Sequence, residues 1–135
     1  MDKLNFFDAI KKTYIIAEIG VNHNGNLTIA KDLINEAVKC GANAVKFQSY
    51  ISSKLAAPET PKVKYQILNS LEENESHLEM LSKYEISKDD HIILKKYCDS
   101  KQIDFLSTPY DVESAKLLTK LNVKMFKTAS ADIVD

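Results

Sequence analysis

The sequence has few of the residues that build linkers and disulfide frameworks, and it has no long apolar run. Among 135 residues there are three glycines, three prolines and two cysteines. So few glycines and prolines leave little room for linkers, which predicts one compact unit without an internal domain boundary. No run approaches the ~20 consecutive apolar residues that a membrane helix needs. The amino-terminal segment MDKLNFFDAIKK has no apolar core before a small-residue cleavage site, so no secretory signal is expected.

These absences predict a cytoplasmic protein with no membrane partner. Cys40 and Cys98 are far apart and lie in helix-like segments, so we expect reduced thiols, in the core or half-exposed. The charge is balanced, with 18 basic and 19 acidic residues, which excludes the strongly basic surface of a typical nucleic-acid-binding domain. No strand-like segment is followed by GxGxxG or GxxxxGKS/T, so dinucleotide-binding and P-loop folds lose their main support.

Strand-like and helix-like segments alternate along the chain. Four short, β-rich segments are predicted as strands: 14–19, 43–48, 103–108 and 123–128. Helical spacing and capping residues predict helices over 27–40, near 74–84, from Ser87 to about 101, and from Asp111 to Leu121. Strands separated by crossover helices indicate an α/β fold with a parallel sheet and outer helices. Four such units are either the first half of a TIM (β/α)8 barrel, which typically needs ~250 residues, or a flavodoxin-like sheet. The composition leaves both open.

Charged and polar residues occur near the carboxyl ends of the predicted strands. A parallel strand is covered on both faces and is expected to be apolar throughout. The residues that break this pattern are Glu18, Lys46, Gln48 and Lys127. Because side chains alternate between faces, Lys46 and Gln48 are predicted to share the face that points away from the outer helices.

These strand-end charges indicate a binding site. An unpaired buried ammonium costs several kcal/mol, so we expect Glu18 to neutralise one lysine and an anionic ligand to neutralise the other. The carboxyl ends of the strands are also where barrel active sites lie. The alternative is that each lysine keeps its ammonium in water at a strand end.

The histidines and hydroxyl residues carry weaker signals. His23 directly follows the first strand and is either a ligand or a hydrogen-bonding loop residue. His77 and His91 lie on predicted helices among charged residues and are expected to be solvated. No two of the three histidines have the spacing of metal ligands, so no metal ligand is predicted in this chain. Thr108 and Ser130 stand at strand ends, where a hydroxyl could either bind phosphate or cap a helix.

Four segments, in order and spacing, resemble the amino-terminal part of the sialic acid synthase family: IIAEIGVNHNG, GANAVKFQSY, FLSTPYD and FKTASAD. The segments PKVKYQ and ESHLEMLSKYEIS resemble the family's stretch between the second strand and the next helix. Members of this family condense phosphoenolpyruvate with an N-acetylated amino sugar and release phosphate. The resemblance therefore implies a carbohydrate-biosynthesis enzyme, most simply an N-acetylneuraminate synthase that uses N-acetylmannosamine.

The family fold is a (β/α)8 barrel followed by a small antifreeze-like domain, in a homodimer. The resemblance implies that residues 1–135 are a partial barrel domain with strands one to four. The later strands and the antifreeze-like domain are then absent from this chain, and the chain alone is expected to be inactive.

The resemblance also implies which residues bind the anionic substrate. Lys46 and Lys127 match the lysines that hold the phosphate and carboxylate of phosphoenolpyruvate. Thr108 and Ser130 match hydroxyls of the same anion pocket. Glu18 matches an acid at the reacting centre.

Two further positions are implied to lie near the amino sugar. They are Gln48 and Asp132, and some family members have Glu in place of Asp132, which leaves the sugar undefined. The divalent metal of the family, manganese or magnesium, is held by histidines of later strands, so its ligands are expected outside this chain. Three alternatives remain open: a legionaminic or pseudaminic acid synthase, an inactive fragment of such an enzyme, and a barrel aldolase that forms a Schiff base on Lys127.

Overall fold

A computed structural model describes residues 13–56 and 76–133. The strands are β1 (Ile16–Gly20), β2 (Ala44–Ser49) and β3 (Asp104–Pro109). The helices are α1 (Leu27–Lys39), α2 (Ser52–Leu55), α3 (His77–Tyr84), α4 (Lys88–Ser100) and α5 (Val112–Lys120), with a 3-10 turn at Ala131–Ile133. The segment PKVKYQ lies outside the described residues. None of the helices in the described ranges combines the length and apolarity of a membrane span.

The three strands form a parallel sheet in the order β1-β2-β3. Lys46 pairs with Glu18 on one side and with Leu106 on the other, and Gln48 pairs with Thr108. The sequence-based prediction of an α/β fold with a parallel sheet is therefore confirmed. The register places the polar ends of all three strands at the same edge of the sheet.

The predicted fourth strand over 123–128 is wrong as a continuous element. Within the described residues its pairing with β3 consists of one bridge, between Ser107 and Phe126. The first residue of the segment is still hydrogen-bonded to α5, because Val123 N donates to the carbonyl oxygen of Leu118 at 3.3 Å. Asn122 also has a left-handed backbone, with φ of 53°. The same helix-end geometry precedes the fully paired β3, where Ile103 N donates to the Cys98 carbonyl oxygen and Gln102 has φ of 59°. The lack of a longer ladder at 123–128 therefore arises beyond this turn.

The apolar core lies between one face of the sheet and helices α1 and α4. Phe47 and Phe105 stack on this face, with ring centroids 5.3 Å apart. Ile34 of α1 and Leu94 and Cys98 of α4 pack into the same cluster and are almost fully buried. Burial raises the pKa of the Cys98 thiol to about 12, so Cys98 is an unreactive core residue, whereas Cys40 is exposed.

The other face of the sheet is more open. Ile16 of β1 is 41% exposed, and Phe126, which lies beside β3, is 47% exposed. The face that carries Glu18, Lys46 and Gln48 is this open one, because the alternate residues Val45 and Phe47 belong to the helix-facing core. Lys46 is therefore buried on the face that the outer helices do not cover.

Candidate active site

Lys46 is the centre of the polar cluster at the carboxyl edge of the sheet. Its side chain is 9% exposed and its ammonium forms an ion pair with Glu18, whose side chain is 53% exposed. The parallel register places the two residues directly opposite each other on β1 and β2. Glu18 therefore supplies the negative charge that a buried lysine requires, and it does so from the solvent side.

Thr108 is the second partner of Lys46. The Lys46 ammonium donates to the Thr108 Oγ1 at 3.4 Å, and Thr108 is 2% exposed. Lys46 pairs with Leu106 in the ladder, so this contact runs diagonally across β2 and β3. An ammonium has three N–H donors, and the Thr108 hydroxyl keeps its own hydrogen when its oxygen accepts. The pair can therefore offer one ammonium donor and one hydroxyl donor to a further acceptor.

Gln48 and Glu18 flank the turn at Gly20. A β-carbon placed on Gly20 would lie 3.4 Å from Glu18 Oε1 and 3.7 Å from Gln48 Nε2. Gly20 has φ of +56° and pairs with Phe47 after a β-bulge, in which Ile19 is skipped in the register with β2. The absence of a side chain at Gly20 leaves space for both polar groups above Lys46.

The segment after α5 carries the other three predicted site residues. Lys127 is exposed, and its ammonium donates to the Thr128 carbonyl oxygen at 3.3 Å. Ser130 and Asp132 are also exposed, at and within the 3-10 turn. The contacts of the described residues do not bring Lys127 onto Lys46. This segment lies beside β3, where the Lys127 N–H donates to the Ser107 carbonyl oxygen at 3.5 Å. The grouping of its three side chains with Lys46 remains a prediction.

Tyr110 is a site residue that the sequence analysis missed. Its backbone N–H donates to the Ser49 carbonyl oxygen at 3.0 Å, which fixes it just beyond the end of β3. Its ring packs edge-on against Tyr50, with centroids 6.2 Å apart. Burial, together with the negative charges of Asp132 and Glu18, raises the pKa of Tyr110. Tyr110 thus lies within the field of both carboxylates and stays a neutral hydroxyl donor.

His23 is a buried loop residue. It is 1% exposed, and its Nδ1 accepts the backbone N–H of Gly25 at 3.0 Å. Its ring lies 5.9 Å from that of Phe47, on the core face of the sheet. Burial lowers the pKa of His23, so the imidazole is neutral. The sequence left His23 as either a ligand or a hydrogen-bonding loop residue, and its hydrogen bond to Gly25 agrees with the second interpretation.

The expectation that His91 is solvated is wrong. His91 is 2% exposed, because helix α4 turns this side chain toward β2 and β3. Its Nε2 lies 2.7 Å from Ser49 Oγ, and its Nδ1 lies 2.8 Å from the Ser87 carbonyl oxygen. Charged neighbours in the sequence suggested exposure, but they occupy the other faces of the helix. His77 is half-buried rather than fully solvated.

The described side chains do not form a metal site. In the ranges 13–56 and 76–133, no group of three or more His, Cys, Asp and Glu residues is arranged to hold a metal ion. The two buried histidines use Nδ1 in hydrogen bonds, and Nε2 of His91 is also engaged. The described donor set therefore does not fit a divalent metal.

Comparisons with known proteins identify relatives of this chain. The model of the NeuB family matches residues 33–135. The chain is 44% identical over 126 residues to an N,N'-diacetyllegionaminic acid synthase of Campylobacter jejuni, covering 93% of this chain and 37% of that protein. It is 41% identical over 122 residues to the enzyme of the same name from Legionella pneumophila, covering 90% of this chain and 34% of that protein.

A solved structure has the same fold. The N-acetylneuraminic acid synthetase of Leptospira borgpetersenii, crystallised with citrate, matches with a TM-score of 0.75 and 31% identity. The match covers 92% of this chain and 38% of that one. The chain thus spans little more than a third of the length of the relatives that it matches.

Proposed function

Because the chain belongs to the NeuB family, we propose that the intact protein is a nonulosonic acid synthase. It condenses phosphoenolpyruvate with an N-acetylated amino sugar, with N-acetylmannosamine and N-acetylneuraminate as the first substrate and product to test. The observation that carries the proposal is the buried Lys46, held between Glu18 and Thr108 at the carboxyl edge of a parallel sheet. The cytoplasmic location and the homodimer remain predictions.

The proposed fold is a (β/α)8 barrel, of which this chain supplies the first four units. The strand order supports it, because β2 lies between β1 and β3 and the single bridge at Phe126 extends the sheet beyond β3. A flavodoxin-like sheet has its first strand between the second and third. A barrel instead requires consecutive neighbours. We propose that later strands close the open face and that an antifreeze-like domain follows them.

The proposed anion site uses hydrogen-bond donors that remain at Lys46 and Thr108. Ion pairing with Glu18 and donation to Thr108 occupy two of the three donors of the ammonium. A phosphate or carboxylate oxygen can take the third donor and the Thr108 hydroxyl hydrogen. Charge-assisted bonds of this kind are roughly twice as strong as neutral ones. Glu18 is half exposed, so it can rotate away when an anion replaces it.

The remaining site residues are proposed from the family resemblance. Lys127 and Ser130 complete the anion pocket, and Gln48 and Asp132 contact the amino sugar. Tyr110 is influenced by both Glu18 and Asp132, and we propose that it donates its hydroxyl to one of the substrates. Because Lys127 and Ser130 are exposed, this part of the pocket depends on later strands for its shielding from water.

The proposed reaction forms one carbon–carbon bond and one carbon–oxygen bond to water, and it breaks the carbon–oxygen bond to phosphate. Carbon three of phosphoenolpyruvate attacks the open-chain aldehyde of the sugar, whose oxygen becomes a hydroxyl after protonation. Carbon two becomes cationic, water adds to it, and phosphate leaves with its bridging oxygen. Lys46 stabilises the anionic groups throughout, an electrostatic contribution that is large in a site shielded from water.

A divalent metal, manganese or magnesium, belongs to the proposal for the intact protein, with ligands outside this chain. Such an ion supplies Lewis-acid polarisation of an aldehyde. The described residues do not fit a metal, so the roles proposed for them do not depend on one.

A Schiff-base aldolase receives less support from the structure. A lysine that attacks a ketone must be neutral, and burial or a neighbouring cation favours the neutral form. Lys127 is exposed rather than buried. Borohydride treatment with substrate is therefore expected to leave Lys127 unmodified, and a covalent adduct there would contradict the synthase proposal.

A legionaminic acid synthase is the second candidate. Its support is that the two relatives with that name are 44% and 41% identical to this chain, against 31% for the solved N-acetylneuraminic acid synthetase. Assays with N-acetylmannosamine and with a diacetamido sugar, followed by identification of the product by mass spectrometry, distinguish the two.

The central experiment compares Lys46→Met with Lys39→Met in the intact protein. Phosphate release from phosphoenolpyruvate is measured at varied concentrations of each substrate, with manganese present. Loss of one charge-assisted contact costs at least ~1.5–3 kcal/mol, so Lys46→Met should weaken phosphoenolpyruvate use by about ten- to a hundredfold. The amino sugar should be affected far less. Lys39 is exposed and pairs with Glu36 on α1, so its substitution should leave the kinetics with both substrates unchanged. Unchanged phosphoenolpyruvate kinetics in Lys46→Met would remove Lys46 from the site.

A further inference from the structure

Three buried polar side chains form a hydrogen-bonded chain on the face of the sheet opposite Lys46. Ser107 Oγ of β3 lies 2.6 Å from Ser49 Oγ of β2, and Ser49 Oγ lies 2.7 Å from His91 Nε2 of α4. His91 Nδ1 lies 2.8 Å from the carbonyl oxygen of Ser87, the residue that caps α4. Ser49, Ser107 and His91 are each at most 2% exposed.

The direction of donation along this chain follows from its end. A carbonyl oxygen can only accept, so His91 Nδ1 carries a hydrogen and donates to Ser87. In the neutral ring Nε2 is then an acceptor, and Ser49 donates to it. The Ser49 oxygen in turn accepts from the Ser107 hydroxyl. Each donor has one acceptor, so the neutral ring satisfies the whole chain.

This chain joins the elements that carry the candidate active site. Ser49 follows Gln48, and Ser107 precedes Thr108. On the core face, Ser49 contacts Ser107, which lies two residues before its ladder partner on β3. On the open face, Lys46 contacts Thr108, which lies two residues after its ladder partner, so the two contacts cross the strands in opposite directions. The two contacts together hold the ends of β2 and β3 against sliding in either direction.

Ser107 also connects the hydrogen-bonded side chains of Ser49 and His91 to the segment that carries Lys127. Its backbone bridges to Phe126, and its carbonyl oxygen accepts the Lys127 N–H at 3.5 Å. The position of Ser107 thus affects the backbone of both lysine-bearing segments.

We propose that His91 is a positioning residue, which holds the ends of β2 and β3 through Ser49 and Ser107 so that Lys46, Gln48 and Thr108 meet the anionic substrate in a fixed arrangement. This inference rests on the proposed function for the identity of the substrate. His91 does not touch the substrate in this arrangement, because the sheet separates them.

Protonation of His91 would reverse this chain. A hydrogen on Nε2 forces Ser49 to accept from the ring, so Ser49 and Ser107 have two hydroxyl hydrogens for one remaining contact, and one of these hydrogens loses its acceptor. Titratable groups that influence the ring or line the adjacent cavity of about 240 Å³ are His23, Tyr50, Glu85, Lys88, Asp90 and Glu113. The carboxylates of Asp90 and Glu85 favour protonation, but burial outweighs them and lowers the pKa of His91.

The test compares Ser49→Ala, Ser107→Ala and His91→Gln with the control Ser100→Ala in the intact protein. Ser100 lies on the same helix as His91, and its hydroxyl bonds to the Tyr97 carbonyl oxygen at the surface. Loss of a neutral hydrogen bond in the chain should raise the phosphoenolpyruvate KM by about two- to tenfold, with a smaller change for the sugar. Ser100→Ala should change neither. If Ser49→Ala fails to fold, Ser107→Ala tests the same chain, because it removes only the terminal donor.

Nitrogen-15 NMR of the imidazole tests the chain without any substrate. The wild type should show a neutral ring with hydrogen on Nδ1, and Ser49→Ala should raise the pKa of His91 because the neutral form loses a donor. A hydrogen on Nε2, or folded variants with unchanged phosphoenolpyruvate KM, would overturn the positioning role. If the wild type has the expected tautomer but does not use phosphoenolpyruvate, the proposed function fails, and the substrate part of this inference fails with it.

Discussion

At the residue scale, Gly25 and Gly41 differ in why a side chain is unfavourable: both have a strained backbone for other residues, but only at Gly25 would a β-carbon clash. Both have left-handed backbones, with φ of +69° and +76°. A β-carbon on Gly25 would lie 2.1 Å from the Lys83 carbonyl oxygen, whereas a β-carbon on Gly41 has nothing within 4 Å. Gly25 is therefore required by the packing of the loop after β1 against α3, and Gly41 only by its own backbone.

We predict that Gly25→Ala destabilises the protein more than Gly41→Ala. Gly41→Ala should cost about 1–2 kcal/mol, the strain of a left-handed alanine. Gly25→Ala should cost about 1–3 kcal/mol more, because the loop and α3 must separate. Urea unfolding of the intact protein measures both. Equal losses would mean that the loop moves away from Lys83 without cost.

The two buried histidines predict a loss of stability in mild acid. Burial lowers the pKa of both His23 and His91 from the ordinary value of 6.5. Below that value the unfolded chain binds protons that the folded rings do not, so the free energy of unfolding falls as pH decreases. Urea midpoints should be constant above about pH 7 and should decline from about pH 6.5 to 5. His91→Gln should decline less steeply, and an equal slope would contradict a neutral, buried His91.

Part of the site was predictable because parallel strands with polar carboxyl ends are unusual. This rule identified Glu18, Lys46 and Gln48 from the sequence. It could not identify Tyr110, which is a loop residue whose importance comes from the carboxylates around it. His91 was missed because Asp89 and Asp90 precede it in the sequence. The side of α4 that packs on the sheet is instead determined by its apolar residues. A closer count of helical spacing, with His91, Leu94 and Cys98 on one side, was the signal available.

At the scale of elements, the helix ends were the most predictable feature. Ser87 caps α4 as its spacing to Asp90 indicates, with Asp90 N donating to Ser87 Oγ at 3.1 Å. Asp111 caps α5 in the predicted place. Capping is a local interaction, so it can be read from adjacent residues. The fourth strand could not be, because pairing depends on partners that are distant in sequence.

The cap at Asp111 is predicted to be worth more than the cap at Asn26. Asn26 Oδ1 accepts only from the first turn of α1, from Thr28 N and Ile29 N. Asp111 accepts from the backbone and hydroxyl of Ser114, and also from Ile51 N at 3.0 Å, before α2. Burial raises the pKa of Asp111, but these hydrogen bonds outweigh it and hold the pKa below its usual range.

Alanine at Asn26 should therefore cost about 1 kcal/mol of unfolding free energy. Alanine at Asp111 should cost about 2 kcal/mol or more, because the Ile51 N–H also loses its partner. Asp111→Asn, which keeps an acceptor oxygen, should lie between these values. Urea unfolding measures all three in the intact protein, and a loss at Asp111 no larger than at Asn26 would show that the Ile51 bond contributes nothing.

At the scale of the whole molecule, the apolar core of the described residues lies on one face of the sheet. Helices α1 and α4 pack on the core face, while Ile16 and Phe126 remain exposed on or beside the other face. Lys46 is nonetheless buried there, with a carboxylate as its neighbour. If the proposed function holds, anion binding depends on local contacts between β1, β2 and β3, whereas the exclusion of water depends on the later strands of the proposed barrel.

Because shielding from water would come from strands outside this chain, we predict that the 135-residue chain alone has no synthase activity. Lys127 and Ser130 are exposed to solvent, and in water each electrostatic contact to a substrate is weaker than in a closed site. The described side chains also do not fit a metal ion. Weak binding of phosphoenolpyruvate should survive, because Lys46 and Thr108 already hold their positions.

The test measures phosphate release by the purified chain, with phosphoenolpyruvate, N-acetylmannosamine and manganese present. The intact protein serves as the positive control, and the chain carrying Lys46→Met serves as the control for anion binding. We expect no turnover above background, and binding of phosphoenolpyruvate that is lost in Lys46→Met. Turnover that requires both the metal and the sugar would mean that copies of this chain assemble a complete site. Such activity would show that the open face of the sheet can be closed by a second copy, and not only by the later strands of a barrel.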